Sequence, residues 1–195
     1  MKKYELTDET IQIGSRTLHR IKALTDFGDV TAGELGGFVE SENNLSNDGN
    51  AWVSDNARVF GDAWVFDNAR VFGDAWVFGD AWVFGDAWVF GKAQVSDNAR
   101  VSGDAWVFGD ARVSGDARVS GNADYICVKG VGSEYRNTTF FKTANSGIQV
   151  NCGCFFGTLS EFTNAVNKTH GDNRYAKEYL AAIKMVKIHF EIEDE

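Results

Sequence analysis

Residues 75–92 read Ala75-Trp76-Val77-Phe78-Gly79-Asp80-Ala81-Trp82-Val83-Phe84-Gly85-Asp86-Ala87-Trp88-Val89-Phe90-Gly91-Lys92, three copies of one six-residue unit. The Ala-x-Val core of that unit recurs without a slip from Ala51 to Val119, giving 12 units. Side chains alternate along a strand, so Ala and Val share one side while the residue between them and the residue after Val point the other way. Each unit is thus a very short strand with a small and a β-branched residue facing inward. The intervening Gly-Asp, Asp-Asn or Gly-Lys is mostly turn chemistry. Three such units close a triangular coil, eighteen positions around, and the 12 units make four coils. Stacked at about 4.8 Å per coil, they would extend roughly 20 Å.

The inward Ala/Val pair and the commonest unit, Val-x-Gly-Asp-Ala-x, resemble the hexapeptide-repeat, left-handed parallel β-helix family over residues 51–123. A right-handed solenoid would carry longer, less regular coils, and a pentapeptide repeat has the wrong period. The fold class expected is therefore mainly β: a left-handed parallel β-helix with an N-terminal β-hairpin cap and a small C-terminal α+β domain. Val39 and Leu45 fall in the alanine register and suggest a degenerate first coil, and Tyr125 ends the phase. The domains expected are an N-terminal β cap (1–34), the β-helix (35–123) and the α+β domain (124–195). Gly33-Glu34-Leu35-Gly36-Gly37-Phe38-Val39-Glu40-Ser41, at the entry, resembles hexapeptide-repeat proteins often encoded by phages and prophages of gut bacteria.

Function is sought on the outward residues. Folded on the three-unit period, the residues between Ala and Val form three ladders. The first reads Trp52, Arg70, Trp88, Trp106; the second Trp64, Trp82, Arg100, Arg118; the third Arg58, Trp76, Gln94, Arg112. Beside the first stand Ser54, Phe72, Phe90 and Phe108. Such rings can simply stack on one another and on arginine, at about 0.5–1.5 kcal/mol per pair. They can also await a partner, because monomers rarely leave large apolar patches bare. The candidate interface is Trp52, Phe72, Trp88, Phe90, Trp106 and Phe108 with Trp64 and Trp82. Trp88, Phe90, Trp106 and Phe108 form its contiguous centre.

Acidic residues form ladders too: Asp62, Asp80 and Asp116 at one corner, Asp86 and Asp104 at another. Regular negative charge on a rod suggests nucleic-acid mimicry; solvated turn chemistry is the plainer reading. Lys+Arg is 19 against 28 Asp+Glu, a net charge of −9. That balance excludes a generic nucleic-acid binder, which needs a basic footprint, and favours basic protein partners. A host defence protein that itself grips nucleic acid fits that description.

The termini carry less signal. Thr10–Ile13 and Thr17–Ile21 flank a Gly14-Ser15 turn and read as a hairpin that caps the solenoid. In the C-terminal domain, Thr138–Lys142 and Ile148–Cys152 read as a second hairpin. Thr158-Leu159-Ser160-Glu161 is a capping box opening a helix with Leu159, Phe162 and Val166 on one face, ended by Gly171. Asn173 opens a longer helix whose buried stripe is Tyr175, Tyr179, Ala182, Ile183 and Val186. That domain could cap the solenoid, dimerise or bind the target.

Chemistry is sparse. Many relatives of the resembled family are acyltransferases, which implies a histidine base near a coil, an extruded loop and a cofactor groove between subunits. Here His19, His170 and His189 all lie outside the repeat, and no loop interrupts 51–119. Cys127, Cys152, Cys154 and His170 are the one combination that could ligate zinc, although Cys-x-Cys is tighter than the usual spacing. Buried structural thiols are the simpler expectation, and no cofactor is expected. An odd cysteine count and an N-terminus that turns acidic before any apolar run suggest neither a disulfide scaffold nor a signal peptide. The expectation is a non-enzymatic, homo-oligomeric binding protein of a bacterial cytoplasm, without a membrane or direct nucleic-acid partner. A phage-encoded inhibitor heads the list, ahead of a structural scaffold and an acyl-CoA-dependent acetyltransferase.

Overall fold

The computed structural model describes residues 2–193. The chain divides into two compact units, Met1–Asn122 and Ala123–Glu195. The first opens with β1 (Tyr4–Ile13), β2 (Arg16–Ala23) and β3 (Leu35–Val39). Twelve two-residue strands follow, β4 to β15: Trp52–Val53, Arg58–Val59, Trp64–Val65, Arg70–Val71, Trp76–Val77, Trp82–Val83, Trp88–Val89, Gln94–Val95, Arg100–Val101, Trp106–Val107, Arg112–Val113 and Arg118–Val119. These sort into three parallel sheets, β4-β7-β10-β13, β6-β9-β12-β15 and β5-β8-β11-β14.

The register shows the coil length directly. Trp88 stands opposite Arg70 on one side and Trp106 on the other, and Arg100 opposite Trp82 and Arg118. Each of these neighbours is three units along the chain, as the period requires. Each coil donates backbone hydrogen bonds to the next, for example Trp82 N–H to the Ala99 carbonyl at 2.9 Å and Phe84 N–H to that of Val101 at 3.0 Å. Strands of two residues would be unstable singly; here three stacked ladders give their backbone groups partners in the adjacent coils. The inside is filled by the alanines from Ala51 to Ala117 and the valines from Val53 to Val119, all shut off from solvent. The first unit thus contains a β-solenoid of about five turns.

The first turn departs from the expected register. Phe38 pairs with Arg58, Val39 with Val59, and Leu45 bridges Val65, so each spacing exceeds the regular one by two positions. Val39 and Leu45 therefore occupy valine positions, not alanine positions. The cause is a longer corner between Leu45 and Ala51 in a coil that carries a short 3-10 turn, Glu42–Asn44. The buried Asn44 side-chain amide donates to the carbonyls of Gly61 and Ala63, both at 2.9 Å, standing in for a missing strand N–H.

The N-terminal hairpin does more than sit on an open end. β2 pairs with β3, so β1 and β2 prolong the third sheet beyond the first coil. Its strands are also longer than Thr10–Ile13 and Thr17–Ile21. Leu18, flanked by Ile11 and Ile13, packs on the outward side chains Phe38, Phe60, Trp76 and Phe78. The open end itself is sealed by Tyr4, whose hydroxyl donates to the Leu45 carbonyl at 2.8 Å.

Glycine supplies the left-handed corner residue at Gly61, Gly73, Gly79, Gly85 and Gly91. At three corners aspartate replaces it: Asp55, Asp67 and Asp97 have φ of 55°, 58° and 57°. This conformation is disfavoured for a residue with a Cβ. Each of the three carboxylates accepts the N–H of a glycine one coil further on, Gly73, Gly85 and Gly115, at 3.0–3.2 Å.

The second unit contains β16 (Tyr125–Val131), β17 (Arg136–Lys142), β18 (Ile148–Cys152) and β19 (Phe155–Thr158), an antiparallel sheet in that order, and then α1 (Leu159–His170) and α2 (Arg174–His189). The β17–β18 hairpin and both helix starts lie where the sequence signals put them; β16 and β19 carry no such signal. Thr158 and Glu161 form the capping box, and those bonds hold the Glu161 carboxyl below its usual range. Phe140, Val150, Phe162, Tyr179 and Val186 join sheet and helices in one core. The buried stripe of α2 begins at Ala176, not Tyr175, which is only half-buried.

Two stability predictions follow from the coils. Asp67→Ala should lower unfolding free energy by about 1–3 kcal/mol, through left-handed strain and a lost hydrogen bond, whereas Asp67→Gly should cost less than Asp67→Ala in the same urea titration. Val83→Asp, which buries an unpaired charge among methyl groups, should cost more than about 4 kcal/mol and abolish the cooperative transition of the solenoid.

Candidate interaction surface

The outward ladders are built by the same register that closes the coil. On the first face, Trp88 and Trp106 stack with ring centroids 5.2 Å apart and planes 9° from parallel. Beside them Phe72, Phe90 and Phe108 form a column with spacings of 4.9 and 5.3 Å. The columns interlock edge to face, Trp88 on Phe72 and Trp106 on Phe90.

The lower half of this face is covered by the chain itself. Trp52 points outward as expected, yet is only 2% exposed. Phe27 meets it edge-on at 5.4 Å and Tyr4 at 6.4 Å. Gly36 lies so close that a Cβ there would come within 2.7 Å of the indole ring. Above it Asp29 forms an ion pair with Arg70. Trp52 is therefore a core residue and leaves the candidate interface. The signal in the sequence was the Gly36-Gly37 pair, which permits close backbone approach.

The upper half is open to solvent. Trp88 is 39% exposed, Trp106 45% and Phe108 51%, with Phe90 half-buried between them. On the second face Trp64 is exposed and stacks on Phe66 at 4.0 Å, while Trp82 lies beneath the Arg100 guanidinium at 4.5 Å. Trp64 and Trp82 thus belong to a separate block, on another side of the coil from Trp88 and Trp106.

The corner residues Asp62, Asp80, Asp86, Asp104 and Asp116 are all exposed. The Asp86–Asp104 ladder begins with asparagine links: Asn50 donates to Asn68 at 3.0 Å, and Asn68 to Asp86 at 3.1 Å. That ladder carries amides on its first two steps and carboxylates on the next two, so only Asp86 and Asp104 bring like charges together. Asp86 and Asp104 border the exposed aromatic block along one edge.

The cysteine and histidine set does not converge. Cys127 pairs with Thr139 and Cys152 with Thr138, so the two thiols lie on opposite faces of one sheet. Cys154 is exposed, and His170 stacks against Tyr179 at 5.8 Å. Burial pushes the Tyr179 hydroxyl up to about 12. No metal-binding group of three or more ligands occurs among the described residues. His19 Nδ1 lies 3.1 Å from the Thr7 carbonyl and His189 Nε2 lies 2.9 Å from that of Ala123.

A family model for the YdcK beta solenoid repeat matches residues 51–66, 93–109 and 111–123. The repeat is similar to that of YdcK. These stretches cover parts of the second, fourth and fifth coils and include Trp52, Trp64, Trp106 and Phe108. No curated protein matches the chain. Among the described residues no helix is long and apolar enough to cross a membrane.

The cover over Trp52 contains a titratable group. Lys3 Nζ donates to the Ala51 carbonyl at 2.9 Å and lies 4.8 Å from the centre of the Phe27 ring. Burial, aided by the charge of Arg70, lowers its pKa from 10.5 to about 8. Above pH 8 the unfolded chain therefore holds more protons than the folded one, so stability rises with pH. Burial raises the Tyr4 and Tyr179 hydroxyls, which oppose that rise increasingly as the pH approaches about 10. Urea titrations of wild type between pH 8 and about 9.5 should show that rise, and Lys3→Met should flatten it.

Proposed function

We propose that the chain is a non-catalytic, hexapeptide-repeat protein of phage or prophage type that binds a host protein and inhibits it. The observation that carries this reading is the solvent-facing block of exposed Trp88, Trp106 and Phe108 with half-buried Phe90, mounted on paired strands held in register coil to coil. A large apolar patch on a rigid support is what a protein interface requires, since little conformational entropy is lost on docking. Aromatic centre and charged border also match interface anatomy. Asp86 and Asp104 on that border, with the net charge of −9, favour a basic partner. A host defence protein whose basic surface normally holds nucleic acid has that chemistry.

A second reading has its own support. The rings already satisfy one another by stacking, so the ladders can serve chiefly to stiffen a structural scaffold. The two readings differ in what happens when the rings are removed. Under the binding reading, Trp88→Ala with Trp106→Ala leaves the circular dichroism spectrum intact but lowers capture of the host partner at least tenfold. The same double variant then fails to protect in an infection assay where wild type protects. Equal capture by variant and wild type, or a variant whose solenoid unfolds, favours the scaffold.

A further inference from the structure

α2 has two apolar sides, and only one is used. Ala176, Tyr179, Ile183 and Val186 face the core of their own unit. Leu180, Met185 and Ile188 lie on the other side and are exposed, Ile188 at 71%. The chain then turns back. Glu191 adopts φ of 54°, the Ile192 N–H bonds the Lys187 carbonyl at 2.9 Å, and that of Glu191 bonds Ile188 at 3.3 Å. This is a Schellman C-cap built on glutamate where glycine is usual. It brings Ile192 beside an open groove of about 720 Å³ whose floor includes Thr163, Leu180, Ile183 and Ile188.

Charge along this strip is ordered. Lys184 lies within it, and Glu191 and Glu193 follow at its end. By sequence α2 carries Arg174, Lys177, Lys184 and Lys187 against Glu178, and Arg174 pairs with Glu178 at 2.7 Å. The strip is thus positive along the helix and negative just past it. Two copies running antiparallel bring opposite charges together, whereas a parallel approach opposes like charges. With the two-fold axis near Ile188, that residue meets its own copy and Met185 meets Ile192 of the second copy. Lys184 then faces the Glu191–Glu193 turn of the second copy. A strip that complements itself under a two-fold rotation is what an isologous dimer needs.

We propose that the outer face of α2, with the turn at Glu191–Ile192, is the site at which a second copy of this chain docks antiparallel. The surface is independent of the aromatic block, so the dimer would present two copies of that block at once and raise avidity for a repeated or dimeric target. One helix per subunit buries less than a standard interface, which sets the association in the weak, concentration-dependent class.

Sedimentation of the full-length protein over a wide concentration range tests this. Wild type should shift from one chain to two as concentration rises, and Ile188→Glu should raise the dissociation constant at least tenfold. At 71% exposure that substitution leaves the fold intact, as circular dichroism would verify. Lys184→Glu and Glu191→Lys should each weaken the homodimer, and mixing these two variants should restore association. Trp88→Ala with Trp106→Ala should leave the dimer unchanged. Wild type that stays monomeric overturns the proposal. So does a dimer insensitive to Ile188→Glu, or one lost only when the tryptophans are removed. Wild type that remains a single chain yet co-sediments with phosphatidylserine-containing vesicles would assign the face to a lipid surface instead.

Discussion

From Ala51 onward the first unit rests on backbone hydrogen bonds passed from one coil to the next at a constant interval. A strand of two residues has no stability of its own. It exists because adjacent coils hold it in line, and because Ala and Val fill the space between three sheets, shut off from solvent. The interval dictates the rest. It stacks Phe72 on Phe90 and Trp88 on Trp106, places Arg100 over Trp82, and joins Asn68 to Asp86. An outward residue here has its neighbours chosen by the period, not by local packing.

The same constraint explains where the surface is covered and where it is exposed. The start of the solenoid is irregular, and the preceding chain folds back on it. Phe27 and Asp29 cover Trp52 and Arg70; Ile11, Ile13 and Leu18 cover Phe60, Trp76 and Phe78. Beyond the reach of those segments the ladders continue toward solvent. The exposed block at Trp88, Phe90, Trp106 and Phe108 thus marks the point where the cover given by the N-terminal segments ends. That boundary is why the functional reading concentrates there.

Legibility in the sequence followed the range of the interactions. The coil, its inward pairs and the order of its outward ladders depend only on the period, and all were readable. The place of Val39 and Leu45 was not, because the longer corner before Ala51 carries no repeat that reveals its length. Burial of Trp52 depends on Phe27, far back along the chain and joined to it by no periodic signal. In the second unit the helix starts were marked by Thr158 and Asn173, whose caps are local. β16 and β19 were not marked, since their pairing with β17 and β18 is set by the sheet and not by alternation within each strand. The outer stripe of α2 was hidden for a simpler reason: a helix with two apolar sides shows its buried one first.

Oxidative cross-linking of paired cysteines tests the coil most directly. Neighbours in a parallel ladder lie about 4.8 Å apart, within the span a disulfide bridges. The Trp88→Cys, Trp106→Cys double variant, three units apart on one face, should form an intramolecular disulfide rapidly, identified by peptide mass mapping. Trp76→Cys with Trp88→Cys, two units apart on different faces, should not. A slow first pair, or equal rates for both, would contradict a three-sided coil that closes every third unit.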